Sequence, residues 1–156
     1  RRGLPLGATG MPLPTLAADG APSADTVRVA VVGAHLTGMP LNHQLTSRHA
    51  VFVEKTATAG DYRLFALANT TPPKPGLVKM DSGAAIEVEL WDVPVTAFGA
   101  FVAEIPAPLG IGTLELADGR LVKGFICEPR GLDGARDITE FGGWRAYLAS
   151  LNAATR

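Results

Sequence analysis

Cysteine is all but missing from this sequence. Cys127 is the only one, so no internal disulfide can form, and a lone thiol makes the cytoplasm the expected compartment. It ends the apolar run LVKGFIC, where a small buried hydrophobe is favoured over a nucleophile. Charge of one sign is missing too. Lys and Arg number 14 against 15 Asp and Glu, a net charge of −1, so composition implies no basic face and nucleic acid is not an expected partner. Apolar runs reach only strand length, far short of a membrane span, and no membrane association is expected. The opening RRGLPLGATG lacks the continuous apolar segment of a signal peptide. It also lacks an initiator Met, which gives the expectation of a piece cut from something longer. His35, His43 and His49 have no metal-ligand spacing, and no acid or thiolate completes a set. Neither a metal nor a cofactor is expected. The G-x-S-x-G elbow, the P-loop and the dinucleotide fingerprint are absent.

What is present is enough for one core. At 156 residues and 47% hydrophobic, the chain can bury roughly 70% of its unfolded surface without staples. Its 18 Gly and 12 Pro predict many turns. Residues 1–25, rich in Gly, Pro and Ala without a period, read as a linker or arm. The domain is placed at 26–156. Six strands are predicted: Val27–Val32, Ala50–Val53, Tyr62–Leu67, Ala85–Trp91, Ile111–Leu116 and Arg120–Cys127. In Ala85–Trp91, Ile86, Val88 and Leu90 share one face and Glu87, Glu89 and Trp91 the other, the pattern of a half-buried strand. Ala117-Asp118-Gly119 is a hairpin turn signal. A helix is predicted from Pro94, with Val95, Phe98, Val102 and Ile105 as its core stripe, and Pro106 ends it. A second runs over Thr139–Leu151 with Thr139 as its cap, and a helical turn falls near His43–Ser47. Thr56–Asp61 and Asn69–Gly76 read as irregular links. Consecutive strands without strict helix alternation give an α+β fold with a mixed or antiparallel, barrel-like sheet.

Three segments could carry chemistry. The first is Gly33–Gln44, GAHLTGMPLNHQ, directly after a predicted buried strand. Its two glycines and its proline let backbone N–H groups turn into a cavity, and such concave runs bind anions. His35 could move a proton near neutral pH, and Asn42 and Gln44 add amides. The competing reading is a tight turn with a structural histidine. The second is Thr70–Leu77, TTPPKPGL, where Lys74 is either an anion clamp or a solvated surface lysine. The third is Pro106–Glu115, PAPLGIGTLE, a pocket wall or a simple reversal. Glu104 and Glu115 flank it as candidate bases, although exposed glutamates usually do nothing chemical. The candidate site is His35 as the catalytic residue. Gly33, Ala34, Leu36, Gly38, Pro40, Leu41, Asn42, Gln44, Lys74 and Tyr62 are placed around a small anionic substrate.

VAVVGAHLTGMPLNHQL, PPKPGL, and IPAPLGIGTLELADGRLVKGFICEP followed by DITEFGGWRAYL closely resemble the C-terminal domain of allophanate hydrolases, over about Val27 to Leu151. LPLGATGMPLP resembles the segment that leaves the family's N-terminal amidase domain. That amidase's serine–serine–lysine machinery is absent, so this chain is not expected to hydrolyse allophanate. The resemblance implies a gamma-glutamylcyclotransferase-like fold with about six strands and two or three helices. It implies a role in urea catabolism, decarboxylating N-carboxycarbamate from the amidase to carbamate and CO2, without metal or cofactor. Its expected partners are the amidase domain and a small dicarboxylate- or carbamate-like substrate. In this mechanism His35 is the acid, while the Gly33–Gly38 amides, Asn42 and Lys74 hold the remaining carboxylate. Two other readings remain open. One is a non-catalytic module that supports the amidase by docking or as a homodimer. The other is a cyclotransferase, against which Gly-Ala-His-Leu at Gly33–Leu36 replaces the Tyr-Gly-Ser-Leu-type loop.

Overall fold

The computed structural model describes residues 25–154. The arm assigned to residues 1–25 lies outside them, save for Asp25. Among the described residues eight strands form two sheets. In the larger, the order is β2 (Val51–Ala57), β5 (Glu87–Pro94), β1 (Thr26–Val31), β7 (Leu121–Cys127) and β6 (Leu109–Glu115). β1 is β-branched at alternate positions and sits in the middle of this sheet, where its second half, Val29, Ala30 and Val31, is fully buried. It pairs antiparallel with β5 (Val29↔Trp91, Val31↔Glu89) and parallel with β7 (Ala30↔Gly124). The smaller sheet has the order β4 (Pro75–Lys79), β3 (Tyr62–Ala66) and β8 (Arg136–Asp137). Just past the ends of the two edge strands of the large sheet, Thr58 bridges to Leu116, so that sheet curls towards closure. The mixed, barrel-like α+β reading therefore holds.

Among the described residues three α-helices accompany the sheets: α1 (His43–Thr46), α2 (Val95–Ala103) and α3 (Trp144–Ala154). Phe101 of α2 is fully buried with Leu36, Leu45, Val88 and Leu90, whereas Val95 is half exposed. The stripe is thus rotated from the one expected, and Pro94 stands just before the helix. The expected helix from Thr139 is broken. A 3-10 turn at Thr139–Phe141 ends on Gly142, whose φ of 74° is costly for any residue with a Cβ. Thr139 does not cap α3. Its Oγ1 donates to Asp137 Oδ1 (2.6 Å) and accepts the Leu64 N–H (3.0 Å), pinning the turn to β3.

The two strands missing from the sequence reading have simple causes. Asn69–Gly76 reads as loop because of its prolines, yet Pro75 opens β4 opposite Ala66, the strand-start position where a missing N–H is tolerated. β8 is two residues long and has no period. β2 extends to Ala57 through part of the expected Thr56–Asp61 link. The Asp-Gly hairpin is present: β6 and β7 pair from Leu109↔Cys127 to Glu115↔Leu121. β5 is not half-buried, because Glu89 and Trp91 are covered as well as Val88 and Leu90. No helix among the described residues is long and apolar enough to cross a membrane.

Candidate anion-binding cleft

Beyond β1 the chain folds into a series of tight turns. Leu36 N–H donates to Gly33 O (3.0 Å), Met39 to Leu36 (2.9 Å), and Leu41 back to Ala34 (2.8 Å). Leu36 is buried in the core and anchors the loop. The Asn42 amide donates to His35 O (2.8 Å), which closes the loop on itself. Gly33 lies against the second segment. A Cβ there would sit 2.2 Å from Pro75 Cδ, so only glycine lets the two chains approach this closely. That contact brings Lys74 to His35. Both line one narrow cleft with Val32, Gly33, Ala34, Pro75, Pro106, Leu109 and Phe125.

His35 is buried, and its Nε2 is 2.7 Å from Gln44 Oε1. With Gln44 presenting its oxygen, Nε2 carries the proton and Nδ1 is left as an acceptor. The ring packs on Phe125 and Phe101, with centroids 4.8 and 5.4 Å away. Burial holds its pKa below the ordinary value. The Gln44 hydrogen bond pulls upward and the nearby Lys74 charge downward. The imidazole is therefore neutral at neutral pH.

Lys74 is buried at 7% exposure. Its backbone N–H donates to Thr70 Oγ1 (3.0 Å), and its Nζ to the carbonyls of Thr71 and Pro72, both at 3.3 Å. Among the described residues no carboxylate lies within ion-pair distance of it. Burial pushes its pKa down. The N–H groups of Ala34 and His35 likewise donate to no backbone acceptor among the described residues. The cleft thus joins a neutral imidazole to an ammonium with no carboxylate partner among the described residues, and two of its lining residues, Ala34 and His35, have N–H groups with no backbone acceptor there. Buried charges are ordinarily paired, so this set is suited to an anion.

The other predicted residues fall into two groups. Asn42 and Gln44 support His35 and face it rather than a ligand. Leu36 is core, while Gly38, Pro40 and Leu41 form the outer part of the loop and do not line the cleft. Tyr62 is not brought to the site. It is buried on β3, and its hydroxyl accepts the Glu115 N–H at 2.9 Å. The candidate bases are engaged elsewhere: Glu104 pairs with Arg48 (2.8 Å) and Glu115 with Lys79 (2.7 Å). Cys127 is buried and its thiol pKa is raised by burial, as a small hydrophobe requires. Phe125 was missed, since an aromatic in an alternating strand gives no site signal. So was Glu89, a buried carboxylate that accepts from Thr37 N–H (2.9 Å) and Trp91 Nε1 (3.2 Å). Among the described residues no three His, Cys, Asp or Glu side chains converge to hold a metal.

Residues 27–149 match the family described as the allophanate hydrolase C-terminal domain. Urea amidolyase from Saccharomyces cerevisiae is 47% identical over 131 residues, 81% of this chain but only 7% of that protein. In the solved structure of Kluyveromyces lactis allophanate hydrolase, the match has a TM-score of 0.78 at 43% identity and covers 83% of this chain and 22% of that one. A uropathogenic E. coli-specific protein matches at TM-score 0.74 and 34% identity, covering 80% of this chain and 96% of its own. A gamma-glutamyl cyclotransferase shares the fold alone, at TM-score 0.51 and 9% identity.

Proposed function

The chain belongs to the family of allophanate hydrolase C-terminal domains, and from that premise we propose that it decarboxylates N-carboxycarbamate to carbamate and CO2 in the His35–Lys74 cleft. The observation that carries this reading is Lys74, a buried ammonium with no carboxylate partner among the described residues, in one cleft with His35.

The retained carboxylate is held by Lys74 and the amides of Ala34 and His35. The departing carboxylate faces the apolar wall of Pro106, Leu109 and Phe125. There a charged group loses hydration while neutral CO2 does not, which favours release. The C–N bond breaks with its electron pair passing to nitrogen, and nitrogen takes up one proton. His35 was the expected donor, but burial keeps it neutral. Lys74, whose pKa burial lowers, is the better acid: it passes one proton to the nitrogen as CO2 leaves and regains one from solvent when carbamate departs, which restores its charge for the next substrate. His35 Nδ1 instead accepts the substrate N–H and orients the nitrogen. Fixed donors of this kind contribute roughly 3–4 kcal/mol each to barrier lowering.

The substrate would come from an amidase domain of the larger protein, in the cytoplasm. The docking-module reading has its own observation: Val51 and Phe52 of edge strand β2 are 63% and 46% exposed. Calorimetric titration of the chain with malonate, a stable dicarboxylate mimic, separates the two. Saturable binding that His35→Ala weakens about tenfold or more supports the cleft. A well-folded chain that binds no malonate ends this proposal and leaves the docking module.

A further inference from the structure

We propose that Glu89 and Arg145 are positioning residues of the cleft, gripping Thr37 so that helix α3 sets the shape of the loop that carries His35. For its ligand this rests on the function proposed above, whereas the grip itself is a matter of geometry.

Thr37 lies two residues past His35, on the exposed turn of the loop. Every one of its polar groups is held from outside the loop. Its N–H and Oγ1 donate to Glu89 Oε1 at 2.9 and 3.0 Å. Its carbonyl accepts from Arg145 Nη2. Arg145 Nη2 also donates to Glu89 Oε2 at 3.1 Å, so helix and strand grip the same residue together. Among the described residues, the other backbone hydrogen bonds of Gly33–Asn42 outside the ladders stay within the loop or join its end to α1.

A plain clamp between α3 and β5 would look different. The acid nearest Arg145's other nitrogen is Glu87, and that pair is slack. Nη1 lies 3.6 Å from Glu87 Oε2, and neither atom has a hydrogen-bond partner. The guanidinium makes its short contacts with Thr37 and Glu89 instead. Trp144, next to Arg145 at the start of α3, is buried, which fixes where the guanidinium can reach. Glu89 is 4% exposed, and the donors around it hold its pKa below the usual carboxylate range despite burial. It therefore stays charged and keeps its hold on Thr37 across the neutral range.

The test reads His35 directly. The charges that act on it, Lys74, His43 and Glu104, are left in place by every variant, so its titration reports how tightly the loop stays closed. NMR titration of the His35 ring and malonate calorimetry are run on wild type, Arg145→Met, Arg145→Lys and Glu89→Gln. Arg145→Met and Glu89→Gln are expected to raise the His35 midpoint by about half a unit or more towards its ordinary value as the ring gains water. They weaken malonate about tenfold, and Arg145→Lys recovers part of both. A folded Arg145→Met with the wild-type midpoint and wild-type malonate affinity, but a lower melting temperature, would make Arg145 a structural clamp and overturn the proposal. If Arg145→Met does not fold, Thr37→Val decides by the same readout, because it removes only the hydroxyl bond to Glu89. Should wild type bind no malonate, the functional reading fails by itself, and the His35 midpoint still decides the positioning role.

Discussion

Replacing Lys74 by Met should make the protein more stable and bind anions worse. The ammonium is buried with no carboxylate near it among the described residues, held only by two carbonyls at 3.3 Å. Thr71 is exposed and Pro72 half-buried, so water can serve those carbonyls after the change. Met keeps the apolar stem and fills nearly the same volume. Swapping buried ionic groups for apolar ones of similar size is often stabilising by about 1–4 kcal/mol. Losing two ordinary hydrogen bonds takes back about 1 kcal/mol each. The balance runs from about −1 to +2 kcal/mol and is centred on a gain of about 0.5 kcal/mol, or roughly 1–2 °C in melting temperature for a chain of this size. Malonate loses a charge-assisted bond worth about 1.5–3 kcal/mol, a weakening of roughly 10- to 150-fold. There is a pH signature as well. The folded pKa of Lys74 lies below its ordinary value of 10.5, so the unfolded chain binds the extra proton between the two. Wild-type stability therefore gains a rising contribution with pH across that alkaline window, and Lys74→Met lacks it. Calorimetry and urea unfolding at several pH values test both effects. If Lys74→Met is less stable than wild type by more than about 1 kcal/mol, or binds malonate as tightly, then the loop carbonyls satisfy Lys74 and the case for an anion site collapses.

Two further predictions follow from the same cleft. The folded pKa of His35 lies below 6.5, so the unfolded chain takes up its proton first as the pH falls. The stability this histidine contributes is complete above about 6.5 and is lost below it, down through the lowered folded value. The urea midpoint of His35→Phe should accordingly fall less than that of wild type between about pH 7 and pH 5, and equal slopes would refute the burial argument. Gly33→Ala places a Cβ 2.2 Å from Pro75 Cδ, a ring fixed by pairing with Ala66. It should cost about 1–3 kcal/mol by overpacking and weaken malonate by pushing Lys74 from His35. Wild-type stability and affinity would show that the two loops do not depend on that contact.

Much of the site was legible because its parts sit in unusual local sequence. A histidine between glycines directly after a β-branched strand, and a lysine between prolines, each declare a loop with a fixed shape. Their meeting was not legible. It depends on Gly33 touching Pro75, forty-two positions apart by numbering, and on β4 beginning at a proline where local propensity argues for loop. Tyr62 was misplaced for a related reason. A strand's period tells which residues are inside, but not whether inside means core or cleft. Glu89 shows the same gap in reverse, since alternation put it outward and Thr37, Trp91 and Arg145 close over it.

The sequence alone determined the family, the α+β class, the hairpin at Asp118-Gly119, and the two loops that could hold an anion. These follow from short-range effects: side-chain period, turn chemistry, and the steric freedom of Gly and Pro. Only the tertiary structure decided that burial holds the His35 pKa below its ordinary value, that Lys74 has no carboxylate partner among the described residues, and that Arg145 reaches Thr37 from the far end of the chain. Protonation depends on how much water is excluded and which charges come close. Both are set by contacts between segments that the sequence keeps apart.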